Sequence, residues 1–154
     1  VIQFWPERNA KSMSRVKPTI LCIDDHWNGL IRRKMFLEQN GYQVLEATNG
    51  PEGLEIFASH PVDAVILDYQ IPGMSGDVVA AKMKCISPQV PILLLSAYGP
   101  LPKAKLKKVD AFLSKMQPPM ILLSTLQQML AGAPKPFFYR WLFDWKQRAQ
   151  GVRP

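Results

Sequence analysis

The chain has 154 residues, 47% hydrophobic and 20% charged, which suits one domain with a proper core and is not comfortably enough for two. No apolar run approaches the roughly 20 residues that span a bilayer, and "VIQFWPERNAKSMSR" lacks the basic-then-apolar order of a secretory signal. The net charge of +7 divides into +3 over residues 1–18, zero over 19–131 and +4 over 132–154, so the body is neutral and the basic charge lies in the tails.

The first element is "TILCI", Thr19 to Ile23, a continuous apolar run read as a buried strand, which leads straight into Asp24 and Asp25. Two adjacent carboxylates at a buried strand end raise each other's pKa and lose solvation, a costly arrangement unless something positive is held there. Helix-like Asn28–Asn40 follows, then a second strand, "YQVLEA", and a helix over Pro51–His60, with Asn40-Gly41 and Asn49-Gly50 as turn or helix-end signals. The third strand, "DAVIL", runs into Asp68 within "VILDYQIPGMSG", and a helix over Gly76–Ile86 comes next. The fourth strand, "PILLL", ends at Ser96; a short helix near Lys103–Lys108 precedes the fifth strand, "DAFLS", which ends at Lys115. A last helix covers Pro118–Leu130. Apolar strands alternating with helices predict five βα units, an α/β fold with a doubly wound parallel sheet covered on both faces.

In such sheets ligands bind beyond the carboxyl ends of the strands. Asp24, Asp25, Asp68, Ser96 and Lys115 all stand at that rim. Each alone reads as a helix cap or a solvated side chain; five together suit phosphoryl transfer. Clustered carboxylates make a hard oxygen site for Mg²⁺. The metal and an ammonium neutralise phosphoryl oxygens, while a hydroxyl donates to another. Asp68, alone at its strand end and followed by a turn, is the candidate nucleophile, and Asp24 and Asp25 are the candidate metal holders.

At this point "IDD", "LDYQIPGMSG", "LLSA", Phe112 and "SK" resemble the receiver domain of two-component response regulators, of the stand-alone chemotaxis type. The resemblance covers residues 18–131, with 1–17 as an amino-terminal extension. It implies the flavodoxin-like strand order 2-1-3-4-5. It further implies that Asp68 takes a phosphoryl group from a histidine kinase or phosphotransfer protein, and that Asp24, Asp25, Asp68 and the backbone carbonyl of Gln70 hold Mg²⁺. Lys115 would contact the phosphoryl group, with Ser96 as switch hydroxyl and Phe112 as switch aromatic. Chemistry would be limited to self-phosphorylation and self-dephosphorylation, and output would pass through an unidentified protein partner, unless the chain is a piece of a longer hybrid protein.

Two departures stand out. Met116 follows Lys115 where the family usually has a cis proline, so Lys115 is expected to be held less firmly. Ser96 and Lys115 are only 19 residues apart, and Pro100 and Pro102 intervene, so the fourth helix is expected to be short or frayed. The family's usual dimer through that region therefore does not carry over automatically, and a dimer stays open.

Two rivals fit less well. A haloacid-dehalogenase-type phosphatase has its nucleophile in a DxD motif at the first strand, whereas here the adjacent pair comes first and "DYQ" lacks a second Asp. A receiver-like adaptor that is never phosphorylated has no need of all five rim residues. His26 reads as a solvated loop histidine rather than a ligand, and "RRK" at 32–34 as a solvated helix face. Cys22 and Cys85 show no metal or redox spacing and fit a reducing, cytoplasmic setting.

Residues 132–154 form a basic, aromatic tail in which Phe138, Trp141, Leu142 and Trp145 recur at helical spacing. An amphipathic helix docked on protein is expected, with partner or dimer contact and an anionic membrane surface as alternatives. No helix-turn-helix or winged-helix unit fits these 23 residues, so direct DNA binding is not expected.

Overall fold

The computed structural model describes residues 16–132. The amino-terminal extension up to residue 15 and the tail from residue 133, with its expected amphipathic helix, lie outside the described residues. Five strands alternate with four α-helices: β1 Thr19–Ile23, α1 Trp27–Gln39, β2 Gln43–Ala47, α2 Gly50–Ser59, β3 Ala64–Asp68, α3 Gly76–Ile86, β4 Ile92–Ser96, β5 Ala111–Ser114 and α4 Pro119–Leu130. The strands form one parallel sheet in the order β2-β1-β3-β4-β5. Between β4 and β5 the expected fourth helix is reduced to a single 3₁₀ turn over Lys103–Leu106. Pro100 and Pro102 cannot donate to a helix ladder, and only five residues separate Pro102 from Lys108, too few for a stable α-helix.

Alternation along each strand sends side chains to opposite faces. Ile20, Cys22, Leu93 and Leu95 pack beneath α1 and α4 with Leu30, Leu37, Leu123 and Leu126. Leu21, Ile23, Leu67 and Leu94 pack beneath α2 and α3 with Phe57, Val79 and Met83. Leu106 and Val109 reach that second layer, so the 3₁₀ turn still covers the sheet where a helix is missing.

Local chemistry sets the helix ends. Asn49 caps α2 by accepting from the Glu52 N–H at 2.9 Å, while Glu52 accepts from the Thr48 N–H at 2.8 Å, a reciprocal pairing that satisfies orphan donors. Gly41, at φ +90°, reverses the chain after α1. At the amino-terminal edge of the sheet, Lys84 Nζ donates to Val90 O and Asp110 Oδ2, each at 2.7 Å, and the same Asp110 oxygen accepts from the Ile92 N–H at 2.8 Å.

Candidate functional site

The site lies at the carboxyl edge of β1, β3, β4 and β5. The Asp24 N–H donates to Ala47 O at 3.1 Å, so the ladder with β2 continues one residue past β1 and fixes where the acidic pair begins. Asp68 is the last residue of β3, and the next N–H, of Tyr69, donates to Leu95 O at 2.8 Å. Both carboxylates are almost fully buried, at 1% and 2% exposure. Ser96 ends β4 and is also buried.

Lys115 joins the two acids. Its Nζ donates to Asp24 Oδ2 at 2.9 Å and to Asp68 Oδ2 at 2.7 Å. Its backbone N–H donates to Ser96 O at 2.8 Å, extending the β4–β5 ladder by one residue. The Lys115–Met116 peptide is trans, and Ser114 accepts from the Met116 and Gln117 N–H groups at 3.2 and 3.1 Å. No proline directly follows Lys115, and what holds it lies elsewhere. Two buried carboxylates and the strand ladder fix Lys115 instead.

Burial pushes both buried acids towards the neutral form, with opposite net results. For Asp24 the His26 N–H, Lys115 and Arg33 outweigh burial, and the carboxyl lies below its ordinary value. For Asp68 burial prevails, helped by the Asp24 charge and opposed by Lys115, and the carboxyl lies above it. Asp68 is therefore the less satisfied anion.

Arg33 was missed from sequence. It is not on a solvated face: its side chain is 11% exposed, and Nη2 donates to Asp24 Oδ2 at 3.2 Å. Leu30, Arg33 and Leu37 fall on one helical stripe, which is the signal that could have found it. Arg33 and Lys115 also line a cleft of about 730 Å³ between α1 and α4.

Of the other expected residues, Gln70 donates its N–H to Asp68 Oδ1 at 3.2 Å, and Ser96 Oγ accepts from the Tyr98 N–H at 3.2 Å rather than reaching Asp68. Phe112 is buried with Leu106 and Val109 in the α2–α3 layer. Asp24, Asp25, His26 and Asp68 each offer one ligand atom, and all four atoms lie within 4.8 Å of one another. Asp25 Oδ1 is buried and accepts no hydrogen bond among the described residues. A hard divalent cation fits such a donor set, because it would satisfy the orphan oxygen and offset the acidic charge.

The solved receiver proteins share this frame. A response regulator receiver domain from Methanospirillum hungatei is 25% identical with a TM-score of 0.72, covering 75% of this chain and 95% of that one. The response regulator TrrA of Thermotoga maritima, solved in complex with Mg²⁺ and BeF, is 31% identical with a TM-score of 0.70, covering 73% and 98%. Sporulation initiation phosphotransferase F of Bacillus subtilis is 35% identical over 82 residues, 53% of this chain and 66% of that protein. The sensor kinase/phosphatase LuxN of Vibrio campbellii is 38% identical over 79 residues, which is only 9% of its length. The alignments with these two relatives thus span less than two thirds of either protein. The family model for the response regulator receiver domain matches residues 20–127, reaching all five strands and every rim residue from Asp24 to Lys115, and the chain belongs to that family.

Proposed function

We propose that this chain accepts a phosphoryl group on Asp68 from a phosphohistidine of a histidine kinase or phosphotransfer protein, and so switches the binding of a partner protein. The bridge from Lys115 to Asp24 and Asp68 carries this reading, because it sets a cation beside the one buried rim carboxylate whose charge is poorly offset. A carboxylate oxygen of Asp68 attacks phosphorus, the P–N bond breaks, and the imidazole leaves with the electron pair. Lys115 then turns from Asp68 to the incoming phosphoryl oxygens, while Arg33 and the His26 N–H keep Asp24 in place.

Receiver domains generally bind Mg²⁺ at an acidic pocket, and Asp24, Asp25 and Asp68 form that cluster here. With the Gln70 carbonyl they are the residues that would hold it, and the ion when bound supplies positive charge opposite the phosphoryl oxygens. Ser96, one residue beyond the strand position paired with Asp68, would donate its hydroxyl to a phosphoryl oxygen, and its position on the strand beside Asp68 supports that reading. Phe112, on the neighbouring strand, is the proposed reporter of that contact. Among the described residues no helix is long and apolar enough to cross a membrane. A cytoplasmic setting agrees with the two unpaired cysteines.

Acetyl phosphate with Mg²⁺, read by intact mass, tests the assignment. The wild type should gain one phosphoryl mass and Asp68→Asn should gain none. Lys115→Ala should gain it at least about tenfold more slowly, the loss of one charge-stabilising group. A gain that persists in Asp68→Asn would place the acceptor elsewhere.

A further inference from the structure

Among the described residues, His26 is the rim residue that has a ligand atom and no role for its side chain in the phosphoryl chemistry above. Its Nδ1 lies 3.0 Å from Asp25 Oδ1 and 3.5 Å from Asp24 Oδ1. The closer contact has ion-pair distance but is not a hydrogen bond, since Asp25 Oδ1 accepts none among the described residues. With the ring neutral and its proton on Nε2, this nitrogen and the Asp25 oxygen, side by side within one acidic cluster, can both offer lone pairs to a common cation. The side chain is not needed to start α1, because it makes no cap hydrogen bond.

We propose that His26 is a nitrogen ligand of the metal site and biases it towards divalent first-row transition ions such as Mn²⁺ and Co²⁺ over Mg²⁺. The inference rests on the reading of Asp24, Asp25 and Asp68 as a metal site. The chemistry is that of donor type: oxygen-only sets suit Mg²⁺, while imidazole favours the transition ions in the order Mn²⁺ below Co²⁺. An added imidazole strengthens binding of those ions and leaves Mg²⁺ almost untouched. The ring is largely exposed, so the ion's remaining positions stay open to water and to phosphoryl oxygens.

The test compares Mg²⁺ and Co²⁺ affinities of the untagged wild-type chain and His26→Ala by calorimetry. Mg²⁺ binding by the wild type tests the metal site itself, and its absence would overturn both the site and the ligand. The expected result is a loss of at least about tenfold in Co²⁺ affinity in His26→Ala, with Mg²⁺ affinity changed less than about twofold. Equal changes for both ions would mean that His26 acts only as a charge paired with Asp24 and Asp25, and no change for either would remove it from the site; each overturns the proposal. Proton NMR with Co²⁺ gives a second readout. The chain has two histidines, and His60, against Ser59 Oγ beyond the end of α2, is the internal control. The His26 ring resonances should move far outside the diamagnetic range while those of His60 stay in place; unmoved His26 resonances would also sink the proposal.

Discussion

Arg33 and Lys115, which line the same cleft, donate to the same oxygen of Asp24, Oδ2, at 3.2 and 2.9 Å. Were Lys115 to turn to a phosphoryl group, as proposed, Asp24 would still have the Arg33 cation beside it. Arg33→Leu keeps the stripe apolar and removes that cation. Mg²⁺ affinity should then rise about threefold to tenfold, because the pocket becomes more negative. Stability should fall by about 1–3 kcal/mol, the cost of leaving a buried charged acceptor with one partner fewer. Isothermal titration and urea unfolding check the two effects, and an unchanged Mg²⁺ affinity would show that the guanidinium does not reach the metal site electrically.

Gly76 determines how closely α3 approaches Asp68, the proposed phosphoacceptor. A Cβ there would lie 2.4 Å from Asp68 O and 2.9 Å from Tyr69 Cα, both backbone atoms that cannot step aside. Gly76→Ala should cost about 2–3 kcal/mol as overpacking and slow phosphorylation of Asp68. Gly73, at φ +81° with open space where a methyl would stand, provides the contrast. Gly73→Ala should cost about 1–2 kcal/mol from backbone strain alone and leave the phosphorylation rate as it was, read by chemical denaturation and intact mass.

The 3₁₀ turn is tied to α3 by Lys105 Nζ and Asp77 Oδ2 at 3.0 Å. Burial raises the Asp77 carboxyl, but Ser75 and Lys105 outweigh it, so its folded-state pKa lies below the ordinary 3.8. A carboxyl lowered on folding adds stability that is complete above its unfolded value and is lost as pH falls through the folded one. A double-mutant cycle with Asp77→Asn and Lys105→Met should therefore show a small favourable coupling at about pH 7 that fades as the pH falls below the ordinary carboxyl value and through the lowered one. Equal coupling at neutral and low pH in thermal melts would mean that packing, not charge, joins the two.

Thiol chemistry separates the cysteines. Burial pushes the Cys22 thiol up to about 12, and the residue is fully enclosed, whereas Cys85 on α3 is exposed. A maleimide at neutral pH should add once to the native chain and twice to the unfolded one, counted by mass. Rapid double addition to the native protein would mean that β1 opens locally.

The strands were the readable part of this sequence. "TILCI" was placed to the residue, since a fully buried parallel strand is continuously apolar and needs no periodicity to be recognised. The rim acids followed, because each stands where an apolar run stops. Arg33 was hidden by its neighbours: within "RRK" a single inward-facing charge looks like three outward ones until α1 is phased on Leu30 and Leu37. The grip on Lys115 was hidden for another reason. Met116 changes one local preference, while the hold comes from Asp24, Asp68 and Ser96, distant in the chain and adjacent only after folding.

The contact of Lys84 with Val90 and Asp110 gives the sheet a mechanical polarity. One ammonium pins the start of β4 to the turn before β5 and to the end of α3, at the edge farthest from Asp68. The strands are therefore tied at one end, while the proposed phosphoryl chemistry would act at the other. Movement at the carboxyl end is expected to be resisted least in the loop just beyond β4, 97–102, and most at Ile92. Amide hydrogen exchange would register this as a gradient along β4, slow beside the clamp and quickening towards Ser96.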